Sequence, residues 1–338
     1  MKENNFTMLD PIEEKLEEKL RENGEKIFGD RTHNSSLNVG ITQNLLCHYT
    51  SIHGFKGIID RKELFATSCR HMNDKNELFQ GLKAIKEAIL RPIKMVGSHP
   101  RSKAMWPVYD VIEKFINNLQ QHHFDNCFAF ACCFSESLDD NAQWQMYGGP
   151  HQGIGLEFTF DFLQKVANIN NALMSCCIYE FESNSVQNLG NVLLSQLSDA
   201  AARYLDSKKN TRSKHQLEEL SRRLIFRGLS LIKGGEFRAE REWRLLKFGF
   251  FSRYDEKFPV DIEFKETPMA LKPYLVVPLG NIDNKSSPKS ISVVRIGPGA
   301  WASGNLLAIE LFLRSRGYYF DPDDSSAIQL VLSQSGLR

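Results

Sequence analysis

The chain has 338 residues, 42% of them apolar and 25% charged, with a formal net charge of +1. That length admits one large body or two domains with a sizeable core, and the near-zero charge excludes a strongly basic surface that would coat nucleic acid, though not a local basic groove. No apolar run approaches the roughly 20 residues that a membrane span needs, and the opening MKENNFTMLDPIEEKLEEKL is too acidic and polar for a signal peptide.

In chain order, residues 11–28 predict a charged helix with a thin apolar stripe at Ile12, Leu16 and Leu20. Such a helix is expected to dock loosely, or to offer a surface to a partner or a second subunit. A polar linker follows, and the main body begins at Leu45. LLCHYTS reads as a strand, SIHGFKGIID as a helix burying Phe55, Ile58 and Ile59, and ELFATS as a second strand. NDKNELFQGLKAIKEAIL reads as an amphipathic helix, with Asp74 and Glu77 at capping-box spacing. Pro107 suits the first turn of the next helix. CFAFACCF is a continuous apolar run of strand length, expected to be buried on both faces. SESLDDNAQWQMYGG makes a turn and a short helix, and GIGLEFTF is a strand whose glycines allow close approach. Residues 185–232 give two helices ended by Gly234-Gly235. Strands near 260–264, 272–278 and 290–296, a helix over 302–315, and strands GYYF and AIQLVL complete the chain. Strands not separated by regular helices point away from a doubly wound sheet and toward α+β, a mixed sheet with inserted and flanking helices.

The seven cysteines are Cys47, Cys69, Cys127, Cys132, Cys133, Cys176 and Cys177. Their odd number and strand setting read as reduced and cytoplasmic, and the absence of Cys-x-x-Cys spacing predicts no metal site.

Four motifs could carry chemistry. His48 and Tyr49 end the first strand, where a His can donate to a ligand hydroxyl and a Tyr can offer a ring face. Ser135 is delivered to a turn, and Trp144 and Tyr147 follow at i,i+3 on one helical face, a floor for a flat heterocycle or simply core aromatics. Asn73, Asp74 and Glu77 form the third, in which a capping box explains Asp74 and Glu77 without function. In GGEFRAEREWRLLKF, a period of two places Arg238, Glu240, Glu242 and Arg244 on one face. One such carboxylate can stabilise a positive sugar carbon and the other can align an incoming nucleophile. The same alternation also describes a solvated charge ladder.

HYTS, ELFATSCRHMNDKNE, CFSESLDDNAQWQMYG, GIGLEF, FRAEREWRLL and VVRIGPGA, in that order, resemble the bacterial family called domain of unknown function 2971. The resemblance covers nearly everything from Leu45 onward. That family is similar in fold to the ADP-ribosyltransferases, which implies an ADP-ribosyltransferase-like domain over 45–338 behind a helix and linker over 1–44. It also implies NAD as substrate without a metal. His48 would hold a ribose, with Tyr49 beside it. Ser135, Trp144 and Tyr147 would pack on the nicotinamide side. Glu242 would be the catalytic carboxylate and Glu240 would serve the acceptor, with the choice between the two left open. Tyr49 departs from the pattern, since many members of the superfamily carry a small residue there. The expected function is transfer of ADP-ribose from NAD to a macromolecule, protein or nucleic acid, in keeping with bacterial toxins or phage-defence effectors. The alternatives are an NAD glycohydrolase and a non-catalytic sensor of a nucleotide or ADP-ribose.

Overall fold

A computed structural model describes residues 9–35, 45–71, 81–96, 105–148, 153–180, 182–207, 211–250, 261–267, 270–280, 290–299, 302–318, 320 and 327–335. The main body opens with β1 (Leu45–Ser51), whose last residue caps the next element: the Ser51 hydroxyl accepts from the Gly54 N–H at 3.1 Å. Helix α2 (Ile52–Arg61) buries Phe55, Ile58 and Ile59 and stops at Lys62, which adopts the left-handed conformation with φ 56° and turns the chain into β2 (Glu63–Ser68). The helices α3 (Leu82–Val96) and α4 (Trp106–Asn118) come next, the second with Pro107 in its first turn. The Asn73, Asp74 and Glu77 motif lies outside the described residues.

Strand β3 (Cys127–Ser135) is the hub of the sheet. It pairs antiparallel along its whole length with β8 (Glu242–Phe250), from Cys127 opposite Phe250 to Ser135 opposite Glu242. On its other edge two strands share the space. β2 meets it at Thr67–Ala131 and Ser68–Phe130, and β1 meets it only at Cys47–Ser135. β1 spends its length on β4 (Gly153–Thr159) instead. The sheet continues from β4 through β11 (Ile291–Ile296) to β12 (Gln329–Leu332), the last two a parallel pair. From β2 it runs through β10 (Ala270–Pro278) to β9 (Ile262–Thr267). A short β5 (Leu173–Cys176) covers the far edge of β8. The α+β class with a mixed sheet therefore holds.

The sheet separates two cores, and the apolar run of β3 serves both. Ala129 and Ala131 face a core built with α1 (Pro11–Ser35), α3, α4, α7 (Ser183–Asp206) and α8 (Thr211–Leu229). Phe130, Cys132 and Phe134 face the other, with α2, α6 (Phe160–Ile169) and α9 (Ala302–Ser315). A period of two with both faces buried gives this split.

Three expectations need correction. The first helix does not dock loosely. Ile12, Leu16 and Leu20 are buried in the first core, and Glu13 and Glu17 accept from the fully buried Arg227 of α8 at 2.7 and 2.8 Å. Its stripe looked thin because two of its inward positions are carboxylates that meet a buried cation. The second concerns the repeated Arg/Glu stretch. Gly235–Glu240 form a 3-10 turn, Arg241 has φ 43°, and the strand starts only at Glu242. Glu240 and Glu242 are therefore not successive positions on one strand face. Residues 317–320 also form no strand among the described residues. Periodicity does not reveal the short β5 or the two-residue pair β6 (Ile178–Tyr179) and β7 (Ile232–Lys233), which are too short to show a period.

Candidate functional site

The candidate site forms where β1 peels away from β3. Cys47, Ser135 and Glu242 make one row across β1, β3 and β8, and past that row β1 no longer pairs with β3. The Cys133 carbonyl, left without a strand partner on that side, accepts instead from His48 Nδ1 at 2.9 Å. A carbonyl only accepts, so Nδ1 carries the proton and the neutral ring presents Nε2 as an acceptor. Burial lowers the His48 pKa, while the Cys133 bond works the other way.

This divergence leaves a small cavity of about 70 Å³, lined by His48, Tyr49, Cys133, Gln143, Tyr147, Glu240 and Glu242 among others. Tyr147 closes α5 (Asn141–Tyr147), a helix of barely two turns that Asp140 caps by accepting from Gln143 N–H at 3.1 Å. Burial and then the charge on Glu240 raise the Tyr147 phenol, so it stays a neutral donor.

The carboxylates are held by two cations to which the sequence motifs assigned no role. Lys233 Nζ donates to Glu240 Oε2 at 2.8 Å and also to Glu242 Oε2. Arg244 Nε donates to Glu242 Oε1 at 2.7 Å, and another guanidinium nitrogen donates to the Ser230 carbonyl at 2.9 Å. The Glu242 N–H donates to the Tyr179 hydroxyl at 3.0 Å. Burial alone would raise the Glu242 pKa, but Arg244 and Lys233 outweigh it and hold the carboxyl down at about 2. The Cys133 thiol shares this corner, and burial, then Glu242, push it well above the usual thiol range, so it is no nucleophile. Among the described residues no group of three or more His, Cys, Asp or Glu converges as a metal site requires.

Of the other expected residues, Ser135 and Trp144 stand behind the cavity wall, and Tyr49 lines the cavity with its hydroxyl already engaged. Ser135 Oγ donates to the Glu240 carbonyl at 2.5 Å and accepts from the Ser137 N–H at 3.0 Å, which ties the 3-10 turn to β3. The Tyr49 hydroxyl donates to the Ser137 carbonyl at 2.6 Å and accepts from the Asp140 N–H at 3.1 Å, so it anchors the turn leading into α5. Trp144 is buried, meets Tyr49 edge-on at 4.6 Å, and donates from Nε1 to Asp139 at 2.8 Å. Its ring needs the glycine of β4: a Cβ on Gly155 would stand 3.2 Å from it and 2.8 Å from Cys47 Sγ.

Residues 143–245 match the model of a family described as protein of unknown function (DUF2971). The match supports assigning the chain to DUF2971. It begins within α5 and takes in Trp144 and Tyr147, then Lys233, Glu240, Glu242 and Arg244, while His48, Tyr49 and Ser135 lie ahead of it. No curated protein and no solved structure matches the chain. Arg244 had a sequence signal, since it alternates with Glu242. Lys233 had only a weak one: a lone lysine after the apolar run LSLI, within a stretch that reads as the end of a helix. No helix among the described residues is long and apolar enough to cross a membrane.

Proposed function

We propose that the cleft binds the nicotinamide riboside end of NAD on an ADP-ribosyltransferase-like sheet, and that the protein transfers ADP-ribose to a macromolecular acceptor. One observation carries the reading. The first strand, the middle strand with its helix, and the later strand that the resemblance singles out meet at a single cavity through His48, Tyr147 and Glu242, although these residues lie nearly 200 positions apart in the chain. In the reaction the bond from the ribose carbon to the nicotinamide nitrogen breaks, and its electron pair leaves with neutral nicotinamide. An acceptor nucleophile bonds to that carbon and releases its proton to solvent. Glu242, ionised at neutral pH, favours the positive sugar carbon and accepts from the neighbouring hydroxyl. Glu240 aligns the acceptor, His48 accepts a ribose hydroxyl at Nε2, and Tyr147 packs on the leaving ring. With water as acceptor the same step is NAD hydrolysis.

A second reading, binding of a nucleotide or ADP-ribose without turnover, is favoured by a different observation. Lys233 and Arg244 already balance both carboxylates, and the cavity of about 70 Å³ takes only a ring-sized fragment. Incubation with labelled NAD, following free nicotinamide and label on macromolecules, separates the readings. Nicotinamide with labelled macromolecule supports transfer, nicotinamide alone supports hydrolysis, and saturable binding with neither product supports the sensor.

A further inference from the structure

Lys233 sits between two carboxylates that belong to different elements. It is on the two-residue strand β7, while Glu240 ends the 3-10 turn and Glu242 begins β8. Its ammonium touches Oε2 of both, and its side chain is only 6% exposed. The two oxygens that share one ammonium are close neighbours, and both glutamates are buried. Two carboxylates so placed cannot both stay charged without a cation between them, because in a buried site one of the pair takes up a proton. Arg244 serves Glu242 rather than Glu240: two of its nitrogens donate to the Glu242 carboxylate and another to the Ser230 carbonyl. Among the described residues, other titratable groups facing the pair include the Cys133 thiol from β3, the Tyr147 phenol from α5, the Tyr179 hydroxyl from β6 and the His48 ring from β1. Each of these is neutral in this setting, so none replaces the charge of Lys233.

We propose that Lys233 is a positioning residue of the cleft: it clamps Glu240 beside Glu242 and keeps both ionised, so that a ligand meets a carboxylate pair rather than a carboxylate and a carboxylic acid. The inference rests on the NAD reading only for its consequence in turnover, because the clamp itself is read from the geometry. Loss of Lys233 bears on Glu240 more than on Glu242, because Glu242 keeps Arg244.

The test compares Lys233→Met, Lys233→Arg and the double variant Lys233→Met with Glu240→Gln. Glutamate carboxyls labelled with ¹³C are titrated by NMR in the full chain, and Glu240→Gln and Glu242→Gln identify the two signals. Lys233→Met should displace the Glu240 titration upward by at least roughly two pH units, and Lys233→Arg should leave it near the wild type. The double variant removes the cation together with the carboxylate it serves, so it should melt above Lys233→Met. An unmoved Glu240 titration in Lys233→Met overturns the inference. So does a double variant that melts at or below Lys233→Met, because a lysine that merely fills space gains nothing from the second change. If Lys233→Met does not fold, the double variant decides alone: recovery of a folded chain supports the clamp and failure sinks it. Nicotinamide release is followed against pH in parallel. Wild type that never releases nicotinamide ends the NAD reading, and the clamp is then judged on the titration alone. Release with an unshifted titration ends the clamp and spares the NAD reading.

Discussion

Two charge clusters, each of two glutamates and two cations, sit in different parts of this chain. Against the first helix, Glu13 and Glu17 meet Arg223 and Arg227. At the cleft, Glu240 and Glu242 meet Lys233 and Arg244. Each joins two carboxylates to two cations, and each contains an arginine sealed from solvent. They differ in what surrounds them. The first lies between α1 and α8, where Arg227 also stacks 4.9 Å from the Phe248 ring. The second borders a cavity with His48 and Tyr147 on its walls. A buried ion network is therefore no mark of a site, because desolvation takes back most of what the pairing gives and an apolar replacement can serve as well. Access for a ligand and convergent donors are what distinguish the second cluster.

The largest effect belongs to the first cluster. Removal of residues 1–40 takes Ile12, Leu16 and Leu20 out of the core, on the order of 5–9 kcal/mol at roughly 1.5–3 per large side chain. It also strands Arg227. The truncated chain should melt far below the full one or fail to fold, and an unchanged thermal transition would show that the helix is an appendage after all.

Next comes the single change Arg227→Met. Breaking a buried pair by removing one partner typically costs about 3–5 kcal/mol, because the opposite charge stays buried and unpaired. Here two carboxylates, Glu13 and Glu17, lose the guanidinium. Denaturant titration should register the loss while ligand binding at the cleft stays as in wild type. A change in NAD binding of tenfold or more in a folded Arg227→Met protein would break the separation of the two clusters.

The matching change at the cleft is Glu242→Gln. It keeps the shape, turns one accepting oxygen into an amide NH2 that cannot accept from Lys233 or Arg244, and on the NAD reading removes the charge that favours a positive sugar carbon, which typically costs about 10²–10³ in rate. Nicotinamide release should fall by that factor while the chain still folds. Wild-type turnover in the Gln variant would make the second cluster another structural network, like the first.

Acid titration sharpens the contrast without mutation. The folded value for Glu242, about 2, lies below its ordinary 4.5. A group with a lowered folded value contributes stability above its ordinary value and loses it as pH falls toward the folded one. Between about pH 4.5 and 2, Glu242→Gln should therefore lose less stability than wild type. Parallel acid-unfolding curves for the two proteins would show that Glu242 is no better paired when folded than when unfolded.

Sequence periodicity made the two-faced β3, the capped α2 and the α+β class legible, because each rests on local rules: alternation, a serine cap, apolar spacing. The ordered motifs, through the family resemblance rather than periodicity, singled out His48, Tyr147 and Glu242, which line one cavity. Periodicity failed where a residue draws its meaning from a distant partner. Glu13 and Glu17 look solvated until Arg227 is placed beneath them, some 210 positions away. Lys233 looks like the end of a helix until the turn at Gly235–Glu240 brings both carboxylates to it. Alternation of Glu240 with Glu242 suggested a strand, but Arg241 in the left-handed region interrupts it, and the pair converges through Lys233 instead.

The smallest expected effect is that of Ser135→Ala. The Ser135 hydroxyl is occupied twice, donating to the Glu240 carbonyl and accepting from the Ser137 N–H. Its loss takes one partner each from the Glu240 carbonyl and the part-buried Ser137 N–H, about 1–2 kcal/mol of stability. The melting transition should drop by several degrees at most. Turnover should change little, because Ser135 stands behind the cavity wall and acts on the ligand only through the position of Glu240. The opposite pattern, a loss of a hundredfold or more in rate with the melting transition untouched, would mean that the hydroxyl leaves these partners to meet the ligand. Ser135 would then belong on the nicotinamide side, where the family resemblance implies it, and the boundary between the cleft and its supporting network would have to move inward by one strand.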